Sequence, residues 1–225
     1  MTWIKICGIT SPAAAEHVVR CRPSAIGLNF YAPSPRSVTA AVARSIRVLV
    51  PEDIEVIGVF VNESPETIAV IADEVGLTGI QLHGDETPAD IVSFRSLMSI
   101  NVCKAFRIGE DGLLPVHKFL EECERQQAIP DRILVDARVK GLYGGSGEQV
   151  DWTLVDASAR NEICPPMILA GGLNPSNVAE AIRATSPWGV DVASGVEDSS
   201  GAKDVSLMTG FINCVAGGHN PPAPL

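Results

Sequence analysis

VIGVFVNESPETIAVIADEVGLTGIQLH, residues 56–83, holds two short β-branched runs separated by one helical pattern. Val56–Val61 reads as a strand. Ser64 then offers a side-chain oxygen as N-cap, and Pro65 fills the first helical position, where its missing N–H costs nothing. Gly76 supplies a stop, and the apolar run resumes at 79–83. The stretch is one β-α-β unit. Two consecutive strands joined by a helix must run parallel, because a tight hairpin has no room for the crossover.

Working outward, the same unit recurs along the whole chain. Strand-like runs fall at 3–7, 25–31, 56–61, 79–83, 103–108, 132–136, 167–170 and 190–194. Helical patterns follow each: SPAAAEHVVRC, TAAVARSIRVLV, SPETIAVIADEVG, ETPADIVSFRSLM, GLLPVHKFLEECERQQ, DWTLVDASA, NPSNVAEAIRAT and AKDVSLMTGFINCV. Eight alternating units in 225 residues predict an α/β fold of the closed (β/α)8 TIM-barrel type, as a single domain over 1–216. A doubly wound open sheet is the alternative, but it is more usually built from fewer units. The tail GGHNPPAPL has almost nothing to bury, and residues 217–225 are expected to be disordered.

Composition narrows the function. The formal charge is -10, and no basic stripe interrupts it, so nucleic acid is not an expected partner. No segment approaches the roughly 18 apolar residues of a membrane helix, and the N-terminus carries no signal-peptide pattern. Six cysteines form no CxxC pair and four histidines no HxH or HxxxH, so neither a metal nor a disulfide framework is expected. A reduced, cytoplasmic protein is the reading that fits. An acidic chain repels anions, so any anion site has to be built locally.

Side chains alternate along a strand, so the apolar set marks the face that meets the helices. Ile4 and Ile6 take that face in the first strand, which turns Trp3, Lys5 and Cys7 into the lumen. The same reasoning turns Gln81 and His83, Asp136, and Asp191 inward. Buried parallel strands should be nearly all apolar, and buried polar groups are costly without partners. Polar residues recurring on the inner face, many near the C-terminal strand ends where barrel enzymes carry their chemistry, mark a candidate active site. Cys7 and Asp136 are the candidate catalytic pair. Lys5, Gln81, His83 and Asp191 are candidate substrate contacts.

Each of these has a bland reading. A cysteine is commonly a small buried hydrophobe. Lys5 either lowers the pKa of Cys7 or serves as a lumen cation paired with a carboxylate. An aspartate after a strand is often a cap, although Asp136 is followed by the glycine-rich KGLYGGSGE rather than by a helix. Arg36, beyond the Ala32–Pro35 turn, is either a solvated charge or a fork for a carboxylate at the barrel mouth. Glycine-rich junctions follow strands six, seven and eight. They make Gly144, Gly145, Gly171, Gly172, Ser194 and Gly195 candidates for phosphate binding through backbone N–H groups.

Taken together, KICGIT (5–10), FYAPSPR (30–36), VIGVFVN (56–62), GIQLHGDE (79–86), LVDA (134–137) with YGGSG (143–147), LAGGLNPSNV (169–178) and VDVASGVE (190–197) closely resemble the phosphoribosylanthranilate isomerase family of tryptophan biosynthesis. The likeness spans about residues 3–214. It implies a (β/α)8 barrel and a cofactor-free isomerase. The substrate would be a small phosphosugar-anthranilate, rearranged to its 1-amino-1-deoxyribulose isomer. It further implies Cys7 as general base, Asp136 as general acid, Arg36 at the anthranilate carboxylate and the late glycine loops at the phosphate. The resemblance also implies a monomer or a homodimer. The chain departs from the family pattern in its Pro-rich tail and in RVKGL before YGGSG. A related isomerase of histidine biosynthesis would place an aspartate where Cys7 stands. A non-catalytic phosphosugar-binding barrel would have no need of Cys7, Asp136 and Arg36 together.

The acid-base assignment carries an electrostatic demand. Cys7 has to be partly thiolate, and Asp136 has to hold a proton, each against its ordinary state at neutral pH. Burial favours the protonated form of both. A cation beside Cys7 is therefore expected, and Lys5 is the nearest in sequence.

Overall fold

The computed structural model describes residues 2–136, 152–155 and 163–217. Eight parallel strands close into a barrel in the order β1 to β8. They are β1 (Trp3–Cys7), β2 (Ala25–Asn29), β3 (Glu55–Phe60), β4 (Gly79–Leu82), β5 (Asn101–Arg107), β6 (Arg132–Asp136), β7 (Met167–Ala170) and β8 (Gly189–Val192). The helices are α1 (Pro12–Arg20), α2 (Ala40–Arg47), α3 (Pro65–Val75), α4 (Pro88–Leu97), α5 (Leu114–Arg125), α6 (Val178–Thr185) and α7 (Val205–Gly217). The barrel closes where β1 pairs with β8, with Lys5 opposite Asp191.

Helix boundaries follow the local chemistry. Ser11 and Ser64 accept from the backbone N–H groups of Ala14 and Thr67, each with proline next in line. Gly76 ends α3 at φ 72°, in the left-handed region that glycine adopts without a Cβ clash. Thr87 and Asp90 form a reciprocal capping box at α4. Between β6 and β7 the chain differs from the expected helix: the described part of DWTLVDASA is a 3-10 turn, Trp152–Val155. The phosphate candidates Gly144 and Gly145, and the tail from 218 onward, lie outside the described residues. Helix α7 itself runs to Gly217, one residue past the expected domain end.

The two faces of the strands build two cores. Ile4, Ile6, Ile80, Leu82, Ile133, Val135, Val190 and Val192 pack against the helices, as the alternation predicts. The lumen is filled by Trp3, Ala25, Ile57, Cys103, Ala105, Leu134, Ile168 and Ala170. Each large apolar side chain buried in this way contributes roughly 1.5–3 kcal/mol. The N-terminal end of the lumen is plugged by Arg132, whose guanidinium lies 5.0 Å from the Trp3 ring and 4.8 Å from the Trp188 ring. Glu55 accepts from both Arg132 and Trp3. Among the described residues these side chains fill the N-terminal end of the lumen, opposite the C-terminal strand ends. Among the described residues no helix is long and apolar enough to cross a membrane.

Candidate active site

At the C-terminal ends of the strands a cavity of about 340 Å³ opens to solvent. Cys7, Gln81, His83, Asp136 and Asp191 line it, together with Arg36, Gly171, Gly172, Ser194 and Gly195. The described candidates thus converge on one cavity, with one exception. Lys5 lies beneath the floor, 1% exposed, and does not border the cavity. Its Nζ donates to Asp191 Oδ1 at 2.8 Å. This is the second of the two readings of Lys5, a lumen cation paired with a carboxylate. The reason is length: a lysine two residues below the strand end spends its reach within the lumen.

Cys7 occupies the last position of β1, in register with Gly27 of β2. A Cβ on Gly27 would stand 2.6 Å from Cys7 Sγ and 3.1 Å from Lys5 Cε. Glycine is therefore required there to leave room for the thiol and the lysine stem together. Gly8, at φ 83°, turns the chain out of the strand, and a Cβ there would stand 2.5 Å from Arg36 Cδ. The stem of Arg36 rests on that bare backbone and so reaches the cavity beside Cys7.

The electrostatics differ from the expected balance. Burial pushes the Cys7 thiol up, and Lys5 pulls it back without cancelling the effect. Asp191, which shares the Lys5 charge, adds to the upward push. Burial thus favours the thiol form of Cys7, and Lys5 opposes that push. Alkylation of Cys7 by iodoacetamide, read by peptide mass, should keep rising with pH past about 8.5, because only the thiolate reacts. Lys5→Met should slow it further at every pH in that range. A plateau below that pH, or no effect of Lys5→Met, would contradict this electrostatic account.

Burial, and then the charge of Lys5, push His83 below the usual imidazole range. Its Nδ1 sits 2.8 Å from Gln81 Nε2. The contact pairs the Gln81 amide with Nδ1: its nitrogen donates when the imidazole proton is on Nε2, and its oxygen, with the amide flipped, accepts when that proton is on Nδ1. The downward shift favours a neutral imidazole over a cation at this position. Asp136 ends β6, half-buried at the cavity wall, beside Arg107 in the sheet register.

The loops after β7 and β8 bring backbone to the cavity. Gly171 and Gly172 have φ of 96° and 65°, and a Cβ on Gly195 would collide with the carbonyl oxygen of Leu173. The two loops therefore pack against each other through glycine, which leaves backbone rather than side chain facing a ligand.

Several residues at this face carry no periodic signal in the sequence. Glu197 and Lys203 form an ion-pair cluster with Arg36. Lys104 and Glu86 make a buried pair 3.0 Å apart. Lys104 also donates to the Gly84 carbonyl, and Glu86 accepts from the backbone of Asn62 and Gly84, so the pair fixes the loops after β3 and β4. Lone charges look alike in sequence, whether in a loop or, like Lys104, in a strand. Only contact across the fold separates these from solvated ones. Among the described residues no group of three or more His, Cys, Asp or Glu is arranged to hold a metal.

The whole chain also has recognisable relatives. A family model described as N-(5'-phosphoribosyl)anthranilate (PRA) isomerase matches residues 4–214. The N-(5'-phosphoribosyl)anthranilate isomerase of Ralstonia nicotianae is 38% identical over 221 residues, covering 95% of this chain and 92% of the relative. The crystal structure of phosphoribosyl anthranilate isomerase from Thermotoga maritima superposes with a TM-score of 0.82 at 37% identity, covering 96% of this chain and 100% of that one. That protein is described as dimeric and has also been solved as monomers, with a TM-score of 0.78 at 34% identity over 96% of this chain and 100% of that one. A further structure of such an isomerase holds reduced 1-(o-carboxyphenylamino)-1-deoxyribulose 5-phosphate; its TM-score is 0.79 at 34% identity, again covering 96% and 100% of the two chains.

Proposed function

The chain belongs to the N-(5'-phosphoribosyl)anthranilate isomerase family, and on that premise we propose that it performs the family's isomerisation in tryptophan biosynthesis with Asp136 as general acid and Cys7 as general base. The substrate is N-(5'-phosphoribosyl)anthranilate, and the product is 1-(2-carboxyphenylamino)-1-deoxyribulose 5-phosphate. The two are isomers, so no electron or group has to be supplied, and the reading includes no cofactor. What supports it most is that Cys7, Asp136, Arg36 and the glycine loops border one cavity at the open end of the barrel.

Asp136 delivers a proton to the furanose ring oxygen. The C1'–O bond breaks as the anilino nitrogen pushes in its electron pair, giving an open-chain protonated Schiff base. Cys7, as thiolate, then removes the proton on C2', and those electrons flow to the iminium nitrogen to form an enolamine. The enolamine hydroxyl loses its proton and C1' gains one, giving the ketone. Cys7 releases its own thiol proton to solvent before it acts as base and keeps the proton from C2' afterwards, while Asp136 takes a proton from solvent, so that the thiol and the acid restore the starting state. The cationic Schiff base is the moment at which C2' is most acidic, so a base of modest strength suffices there. It also stabilises a neighbouring thiolate, which answers the upward push that burial gives Cys7.

Arg36 takes the anthranilate carboxylate, and the backbone of Gly171, Gly172, Ser194 and Gly195 takes the phosphate. Neutral amides suit that task, because they hold a dianion without the desolvation cost of burying further cations. With its proton on Nε2, His83 donates to a substrate oxygen. In this reading the enzyme works in the cytoplasm as a monomer or, like the Thermotoga maritima relative, as a homodimer.

The direct test is incubation with freshly made N-(5'-phosphoribosyl)anthranilate while its fluorescence is followed. Catalysed loss of the signal is the expected result, and a rate no greater than that of buffer would reject the reading. Arg36→Met should raise KM by roughly ten- to a hundredfold, the range expected for losing a charge-assisted bond to a carboxylate. An unchanged KM would remove Arg36 from the site.

A further inference from the structure

The guanidinium of Arg36 is already held by the protein. Its Nε donates to Glu197 Oε1 at 2.7 Å and its Nη2 to Glu197 Oε2 at 2.6 Å. This is the bidentate geometry an arginine makes with a carboxylate, and it uses one whole edge of the fork. Among the described residues Nη1 has no protein partner. A second carboxylate can then be met end-on, by Nη1 and the remaining N–H of Nη2. The other end of the side chain is equally constrained, because its methylenes lie over Gly8.

Glu197 is itself anchored. Lys203 Nζ donates to Glu197 Oε1 at 2.6 Å and to the carbonyl of Ala193 at 2.9 Å, in the loop that follows β8. Lys203 and Glu197 are only 3% and 6% exposed, whereas Arg36 is 31% exposed at the cavity. An isolated Arg–Glu pair would be neutral and would offer a substrate anion little attraction. Adding Lys203 leaves the trio with two cations and one anion, hence a net positive charge in a chain of charge -10. The trio also joins the loop after β2, which carries Arg36, to the loop after β8, which carries Ser194 and Gly195. The two proposed anchors of the substrate are thereby held at a fixed spacing.

We propose that Glu197 is a positioning residue for Arg36: it clamps the Nε edge so that Nη1 is presented to the substrate carboxylate, while Lys203 keeps the cluster cationic. The proposal rests on the reading that Arg36 binds that carboxylate. Clamping lowers the entropy lost when the substrate binds, since an unrestrained arginine has to give up several rotatable bonds to reach one geometry. It also selects for a carboxylate in one orientation, which a free, solvated arginine would not do.

The test is a double-mutant cycle read as KM and kcat, together with the Kd of the reduced product 1-(2-carboxyphenylamino)-1-deoxyribitol 5-phosphate and of the same compound with a carboxamide in place of the carboxylate. Glu197→Gln should raise KM and the carboxylate ligand's Kd by about tenfold, leaving kcat within about threefold. In the Arg36→Met background Glu197→Gln should add less than about twofold, because its only route to the substrate is then gone. The carboxamide ligand should bind the wild type and Glu197→Gln alike. Lys203→Met, which keeps the apolar stem, should weaken the carboxylate ligand and spare the carboxamide, and it serves if Glu197→Gln does not fold. Equal effects of Glu197→Gln with and without Arg36, or equal loss for both ligands, would show a merely structural role and overturn the proposal. If Arg36→Met alone left KM unchanged, the carboxylate assignment itself would fall, and this proposal with it. If Arg36→Met raised KM while Glu197→Gln and Lys203→Met did not, only the proposal would fall.

Discussion

Asp136→Asn lowers kcat by about 100- to 10,000-fold, the range a positioned general acid supplies. The substitution keeps the shape of the side chain and removes only its ability to carry the proton to the ring oxygen. The backbone carbonyl of residue 136, which accepts from Ile108 N–H, is untouched, so β6 keeps its place in the sheet. The loss should therefore appear in kcat, with the affinity for the reduced product changed little. Single-turnover kinetics with the fluorescent substrate measure the first quantity, and titration with the product analogue the second. A kcat within about tenfold of wild type, in a folded protein, would remove Asp136 from the role of acid.

Cys7→Ala is the second large effect, again in the range of about 100- to 10,000-fold in kcat. Here the fold has slightly more to lose, because the thiol fills space that Gly27 leaves open. Removing one buried heavy atom costs on the order of 1 kcal/mol, too little to unfold a domain of ordinary stability. Circular dichroism and thermal melting separate that cost from the chemical one. With Cys7 gone, a substrate deuterated at C2' should still undergo ring opening. The open-chain Schiff base has no base to take its proton, so no deuterium should be lost from C2'. Retained turnover and retained isotope exchange in Cys7→Ala would assign the base to another residue.

How much of this could be read in the chain depends on whether the information is periodic or relational. The period-two alternation of Ile4 and Ile6 was enough to turn Cys7 into the lumen, and the packing of Ile4 and Ile6 against the helices agrees with it. The caps at Ser11 and Ser64 were legible because a cap is local: side chain and acceptor lie three residues apart. Lys5 was read with two alternatives. Its partner, Asp191, lies at the other end of the chain, and only the closure of β8 on β1 brings them to 2.8 Å. Lys5 does pull the Cys7 thiol down, as a cation beside it should, but how strongly burial opposes that pull is a property of the whole environment that no neighbour in sequence reports.

Fold class and the face each strand residue takes are legible in the chain alone. Those follow from short-range rules: hydrophobic periodicity, caps, and the regular recurrence of one β-α unit. The tertiary structure decided which charges matter. Arg36, Glu197 and Lys203 are loop residues without periodicity, and Glu197 lies 161 residues from its partner Arg36. Ion pairing, burial and the room left by Gly27 arise from distance in space, and distance in space is set only once the eight strands have closed.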